Sequence, residues 1–322
     1  MSIKKSKLIW SNGKMVPWED ATLHVLSHAL HYGSSVFEGV RVYDTPDGAR
    51  VFRLGEHLTR MYNSAALYRI EIPFSKSELA AACAQVVIEN DLEKGAYIRP
   101  IAFRGNCGLG VAPPPDGAVE VAIAAMQWGA YLGTKGLNEG VDVCVSSWQR
   151  VAPNTIPAGV KAGGNYLSSQ LISMEAKRLG FAEGIGLSTD GTVSEGAGEN
   201  LFMVKNGIVY TPAASSSILG GITRDTVMVL AREAGYQVVE HSITRESLYF
   251  ADELFFTGTA AEVTPIRSVD RMTSGVGHRG PITEQLQATF FGLFSGQTED
   301  KWGWLEPLDA GAAGVKNHIA AV

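Results

Sequence analysis

Short apolar runs separated by turn dipeptides set the rhythm of this chain. Four such dipeptides, Asn12-Gly13, Asp47-Gly48, Asp190-Gly191 and Asn206-Gly207, stand between strand-like segments. Asn, Asp and Gly tolerate the positive φ angles of tight turns, so each predicts a β-hairpin. The clearest case has Leu201-Phe202-Met203-Val204 before Asn206-Gly207 and Ile208-Val209-Tyr210 after it. Elsewhere the apolar period lengthens to that of a helix. Leu167, Leu171, Met174 and Leu179 fall on one helical face, with Gly180 placed to end it. Val227, Leu230, Ala231 and Ala234 repeat the pattern, with Thr223 as N-cap and Gly235 as stop. Hairpins interleaved with helices predict a mixed α/β (α+β) fold and not a dinucleotide-binding repeat.

The apolar run Val119–Met126 gives way to Trp128-Gly129-Ala130-Tyr131-Leu132-Gly133, and a new strand pattern starts at Val141. This shift predicts a domain junction over 128–138, between a smaller N-terminal α/β domain (1–127) and a larger C-terminal domain (139–308). A length of 322 residues suits two domains. The glycine-rich stretch Asp309–Gly314 opens a tail, 309–322, expected to be mobile. At 45% hydrophobic residues the chain can build large cores, and a net charge of −6 with no basic run argues against a nucleic-acid partner. No apolar signal-peptide core follows Met1-Ser2-Ile3-Lys4-Lys5, and no apolar stretch is long enough to span a bilayer. Cys83, Cys107 and Cys144 are far apart and form no CxxC pair, so they are expected as reduced thiols in a cytoplasmic protein.

Four segments could carry chemistry. In Val160-Lys161-Ala162-Gly163-Gly164-Asn165-Tyr166 a lone lysine precedes a helix. Shielded from water, such a lysine becomes an amine nucleophile, and the two glycines would let a flat ligand approach the backbone. Ser194-Glu195-Gly196-Ala197-Gly198-Glu199-Asn200 offers a carboxylate for a ring nitrogen. Leu219-Gly220-Gly221-Ile222-Thr223-Arg224 opens a helix whose N-terminal N–H groups favour a phosphate. Phe255-Phe256-Thr257-Gly258-Thr259-Ala260-Ala261 runs a strand into a turn suited to anion contacts. Taken singly, each has a plain alternative: an exposed lysine, a loop acid, a turn, a strand end. His24, His28 and His31 have helical spacing but no accompanying carboxylate pattern, so no metal site is expected. Gly105, Gly108 and Gly110 lack the strand–helix context of a nucleotide loop.

Together these segments resemble the class IV aminotransferases, the fold type IV enzymes that use pyridoxal 5′-phosphate (PLP). The match runs through Glu195–Phe202, Thr211 and Leu219–Arg224. Tyr32–Arg41, Ala96–Pro100, Trp128–Tyr131, Lys161–Tyr166 and Asp300–Trp304 are similar to the branched-chain amino-acid aminotransferase group. The resemblance covers about Ile9 to Leu305 and implies two domains with PLP between them, bound chiefly by the C-terminal one. It further implies that Lys161 carries PLP as a Schiff base and moves the proton at the substrate α-carbon. Glu195 would pair with the pyridine nitrogen and Tyr166 with the phenolic oxygen. Arg60, Ile222, Thr223 and Thr259 would hold the phosphate, with Leu219 a further cofactor contact. Tyr97 and the Thr259-Ala260 turn would take the substrate α-carboxylate. Tyr32, Phe37, Gly39, Val111, Trp128 and Tyr131 would shape an apolar side-chain pocket. Arg99 would meet the distal carboxylate of glutamate, which a wholly apolar pocket would leave unpaired at heavy cost.

The implied reaction is ping-pong transamination of leucine, isoleucine and valine with 2-oxoglutarate. A D-amino-acid aminotransferase and an aminodeoxychorismate lyase are the alternatives within the fold. Leu109 and Gly220 depart from the methionine and proline common in bacterial members. The expected partners are small amino and oxo acids, with neither nucleic acid nor membrane. The expected assembly is a homo-oligomer, at least a dimer with hexamers among bacterial relatives, in which residues near His31-Tyr32 and Val111 reach a neighbouring site.

Overall fold

The computed structural model describes residues 4–129 and 131–308; the expected tail over 309–322 lies outside them. The described chain forms two compact units. The first takes in residues 4–128, 160–164 and 300–308, and the second the remainder.

The first unit runs β1 (Leu8–Ser11), β2 (Lys14–Pro17), α1 (His28–Tyr32), β3 (Ser35–Phe37), β4 (Val40–Thr45), β5 (Gly48–Phe52), α2 (Leu54–Leu67), α3 (Lys76–Ile88), β6 (Ala96–Arg104) and β7 (Val119–Gln127), and takes back the late strand β17 (Leu305–Pro307). Its sheet has the order β17-β5-β4-β6-β7-β1-β2, with β3 also on β6 and β17 at one edge. Period-2 alternation divides this sheet into two faces. On one, Val36, Val40, Ile98, Val121, Ile123 and Ala125 bury against Leu58 and Met61 of α2 and Leu79, Cys83 and Val86 of α3. Each of the Val, Leu, Ile and Met side chains contributes about 1.5–3 kcal/mol on full burial. The other face carries Phe37, Tyr97 and Arg99, because Phe37 pairs with Ile101 and the odd positions of β6 share one side. Ser75 and Glu78 start α3 with a reciprocal capping box.

The second unit continues with α4 (Gly133–Glu139), β8 (Val141–Gln149), α5 (Tyr166–Arg178), β9 (Glu183–Leu187), β10 (Val193–Gly196), β11 (Asn200–Lys205), β12 (Ile208–Thr211) and α6 (Ile222–Glu233). β13 (Val238–Glu240), β14 (Glu253–Gly258), β15 (Glu262–Val269), β16 (Met272–Thr273) and α7 (Pro281–Ser295) complete it. Its sheet has the order β10-β9-β8-β15-β14-β11-β12-β13, mixing parallel and antiparallel pairs, with β16 added on β15. Phe202 and Phe255 face each other across β11 and β14 with stacked rings 4.9 Å apart.

All four turn dipeptides fall at antiparallel hairpins. Asn12-Gly13 and Asn206-Gly207 take positive φ at both positions. At Asp47-Gly48 the loop is instead Pro46-Asp47, because Gly48 already pairs with Thr45 as the first residue of β5. Other expectations need correction. α5 forms where expected, but Leu167 and Met174 lie 66% and 64% exposed while Ser169, Ile172 and Ala176 face the core. Gly184 explains the choice: a Cβ there would stand 2.7 Å from Ile172, so β9 is built to seat that residue. The N-cap of α6 is Gly221, and Thr223 lies inside the helix. Segments 160–164 and 300–308, expected in the C-terminal domain, group with the first unit. They do so because Ala162 bridges Val36 and β17 pairs with β5. The expected interdomain loop contains α4.

Candidate active site

In the first unit the lysine segment is moored to β3. Phe37 N–H donates to the Lys161 carbonyl (3.1 Å), and Lys161 N–H donates to Ser64 Oγ (3.2 Å). A Cβ on Gly163 would lie 2.4 Å from Ser35 Oγ, and one on Gly33 would lie 3.0 Å from Gly164 Cα. The paired glycines therefore serve close backbone packing, a reason the sequence reading did not supply. Lys161 Nζ ends 5.0 Å from the centre of the Phe37 ring. The Arg99 guanidinium lies 4.7 Å from the same ring centre and donates from Nη2 to the Tyr97 hydroxyl at 3.0 Å. Tyr97 stacks on Trp128 with ring centres 4.7 Å apart. Gly39 is glycine because a Cβ would stand 1.7 Å from the Tyr97 hydroxyl oxygen. Tyr32 donates to the Leu109 carbonyl at 2.5 Å, and Val111 on the same loop is 80% exposed.

Arg60 has a partner that sequence reasoning missed. Its Nε and Nη2 donate to the two oxygens of Glu38 at 2.6 and 2.8 Å, and His57 Nδ1 approaches Glu38 Oε2 at 2.7 Å. Glu38 and His57 are fully buried. Burial raises the Glu38 pKa, but the charge of Arg60 and the hydrogen bonds from Arg60 and His57 outweigh it and hold the carboxyl well below its ordinary range. Burial pushes the His57 pKa down; Glu38 opposes this, and Arg60 and Lys161 add to it. A neutral imidazole thus donates Nδ1–H to the carboxylate. The available signals were an acid inside the apolar run Ser35–Val40 and the i,i+3 spacing of His57 and Arg60 on one helix face.

The second unit builds a different set around Glu195, on β10. Arg150 Nη2 donates to Oε1 at 2.7 Å; Asn200 Nδ2 and Leu219 N–H donate to Oε2 at 3.0 and 3.1 Å. Arg150 also donates to Ser169 on α5 at 2.9 Å. This buried carboxylate is held from three sides in one orientation. Arg150 was also missed, since nothing local in Trp148-Gln149-Arg150 marks it. Ile222 and Thr223 occupy the first turn of α6, where helix N–H groups have no intrahelical acceptor. A Cβ on Gly221 would meet Asn200 Oδ1 at 1.9 Å, so one asparagine ties this helix start to Glu195. Thr259 and Ala260 sit in the tight β14–β15 turn, Tyr166 begins α5, and Tyr131 is exposed on the segment before α4.

His24, His28 and His31 point to separate partners: Leu26 N–H, then Ser34 Oγ with the Gly110 carbonyl, then the Val25 carbonyl. Among the described residues there is no group of three or more His, Cys, Asp or Glu that could hold a metal ion. Nor, among them, is any helix long and apolar enough to cross a membrane.

The chain belongs to the class IV amino-transferase family, whose model matches residues 35–269. Within that class it is similar over its length to branched-chain enzymes. It is 56% identical over 310 residues to the branched-chain-amino-acid aminotransferase of Salmonella typhimurium, covering 96% of this chain and 100% of that protein. The crystal structure of the Escherichia coli branched-chain amino acid aminotransferase matches with a TM-score of 0.93 and 56% identity, covering 95% of this chain and 100% of that one. The T.th. branched-chain amino acid aminotransferase complexed with N-(5′-phosphopyridoxyl)-L-glutamate matches with a TM-score of 0.90 and 46% identity, covering 95% and 99%.

Proposed function

We propose that this enzyme transfers the amino group of L-leucine, L-isoleucine and L-valine to 2-oxoglutarate by a ping-pong course, using PLP. The observation that carries the reading is the Phe37 ring, which has the Lys161 amine and the Arg99 guanidinium both within 5.0 Å of its centre. A nucleophilic amine and a carboxylate-binding fork beside one apolar surface suit a site that takes leucine and glutamate in turn. The relatives support the branched-chain substrates, and the phosphopyridoxyl-glutamate complex of the T.th. enzyme supports both cofactor and co-substrate.

The donor set fits PLP: an amine for the aldehyde, a buried carboxylate for the ring nitrogen, and an arginine and helix N-terminus for the phosphate. When bound, the cofactor supplies a carbonyl that accepts the amino group and a ring that withdraws electrons. Lys161 Nζ holds it covalently and carries the proton to and from the substrate α-carbon. Glu195, kept in place by Arg150, Asn200 and Leu219 N–H, keeps the pyridine nitrogen protonated. Tyr166 orients the phenolic oxygen, while Arg60, Ile222, Thr223 and Thr259 grip the phosphate. Tyr97 and Ala260 receive the α-carboxylate. Tyr32, Gly39, Val111, Trp128 and Tyr131 shape the side-chain pocket. The reading includes a homo-oligomer of at least two chains, supported by the exposed apolar residues Val25, Leu30, Leu109 and Val111 around His31-Tyr32. It places the enzyme in the cytoplasm, which suits three unpaired cysteines.

A panel of L- and D-amino acids with 2-oxoglutarate tests the reading. Glutamate should form with leucine, isoleucine and valine, and borohydride reduction should leave the cofactor label on Lys161. Preferential use of D-amino acids, or a label on another lysine, overturns it.

A further inference from the structure

A buried ion pair is a poor way to gain stability, since apolar residues of the same volume usually do as well. The Glu38–Arg60 pair therefore calls for another reason. Glu38 follows Phe37, which lies under the Lys161 amine, and precedes Gly39, which is packed against the Tyr97 hydroxyl. Its side chain turns to the opposite side, toward α2. There both its oxygens take N–H groups from one edge of the Arg60 guanidinium. His57, one helical turn before Arg60, braces Oε2 from behind, and the Gly39 N–H approaches the same oxygen at 3.2 Å. Two parallel N–H···O contacts fix the plane of a guanidinium, which a single contact would leave free to swivel.

We propose that Glu38 and His57 are positioning residues for the cofactor phosphate: Glu38 grips the Nε–Nη2 edge of Arg60, and His57 holds Glu38, so that the guanidinium plane is set before the phosphate arrives. The inference rests on the reading of Arg60 as a phosphate anchor. The protonation states suit the task. Arg60 holds Glu38 ionised, and burial keeps His57 neutral, so the cluster adds no net positive charge beside the Lys161 amine. A preset guanidinium loses less freedom on binding and so holds the dianion longer.

The test compares release of PLP and of pyridoxal, which lacks the phosphate, from the loaded full-length enzyme. Release is followed by visible absorbance after dilution into a trap. Glu38→Gln should speed PLP release roughly 10-fold, the effect of one charge-assisted hydrogen bond, and leave pyridoxal release unchanged. Glu38→Asp keeps the charge but falls short of both guanidinium nitrogens. It should show the same selectivity at smaller size, and it stands in if the glutamine variant does not fold. Arg60→Met is the control for the underlying reading and should show the largest selective effect. If Arg60→Met is selective but neither Glu38 variant is, the positioning role is overturned while the phosphate anchor stands. Equal acceleration of both cofactor forms by the Glu38 variants also overturns it, since that is how a structural residue would behave. If Arg60→Met does not discriminate, the anchor reading fails and the positioning role falls with it.

Discussion

Arg99 shows how much one side chain can be asked to do. Its guanidinium lies over Phe37 and donates to the Tyr97 hydroxyl, while its buried Nε has no hydrogen-bond partner. A buried donor without an acceptor is costly, and a second carboxylate on the substrate would relieve it. Leucine has no such group. Arg99→Ala should therefore slow the glutamate half-reaction by about 10- to 150-fold, the worth of a charge-assisted bond of about 1.5–3 kcal/mol. The leucine half-reaction should change little. Single-turnover measurements on both substrates check this; equal losses would make Arg99 a support for Tyr97 and remove the dual-substrate argument.

At the scale of the element, the start of α6 is tightly constrained backbone among the proposed cofactor residues. Gly221 caps the helix at a position where a Cβ would stand 1.9 Å from Asn200 Oδ1, and Asn200 in turn holds Glu195 and the Leu219 carbonyl. Gly221→Ala should force Asn200 aside. The cost should be about 1–3 kcal/mol of stability, as for other overpacked sites, together with weaker retention of PLP. Gly220→Ala, where a Cβ would meet nothing within 4 Å, should change stability by only about 0.5 kcal/mol or less. Thermal unfolding and cofactor retention of the two variants check the contrast. Equal behaviour would mean that the helix start yields freely and that Asn200 does not couple it to Glu195.

For the whole molecule, the buried His57 ties stability to pH. Its folded pKa is depressed by burial, aided by Arg60 and Lys161. The folded protein therefore refuses a proton that the unfolded chain accepts near pH 6.5. The contribution is fully present above that pH and is lost as the pH falls, with a slope of about 1.4 kcal/mol per pH unit for one proton. Glu38, depressed below its ordinary value, adds its loss only at lower pH, while the raised carboxyls of Glu183 and Glu306 act in the opposite sense. Between about pH 7 and 5.5 the measured slope is the His57 loss less any opposing gain from these two carboxyls, and comparing the parent with a His57 variant isolates the imidazole. His57→Gln should flatten the denaturation midpoint across that window relative to the parent; an unchanged slope would remove His57 as its source.

What the sequence determined by itself was what local chemistry dictates. Asn12-Gly13 and Asn206-Gly207 turn because their backbones accept positive φ, and α6 buries the helically spaced Val227, Leu230 and Ala231. The motifs around Lys161 and Glu195 stand out in the sequence by their composition; the structure moors the first to β3 and clamps the carboxylate of the second with Arg150, Asn200 and the Leu219 N–H. Tertiary structure alone decided which face of α5 is buried, since that depends on Gly184 leaving room for Ile172. It alone returned 300–308 to the first sheet, because strand pairing between Phe52 and Leu305 spans most of the chain. It also set Glu38 and His57 on Arg60 and Arg150 on Glu195. Long-range ion pairs of that kind leave little periodicity in a sequence, because their energy comes from desolvation and geometry that exist only once the chain has closed around them.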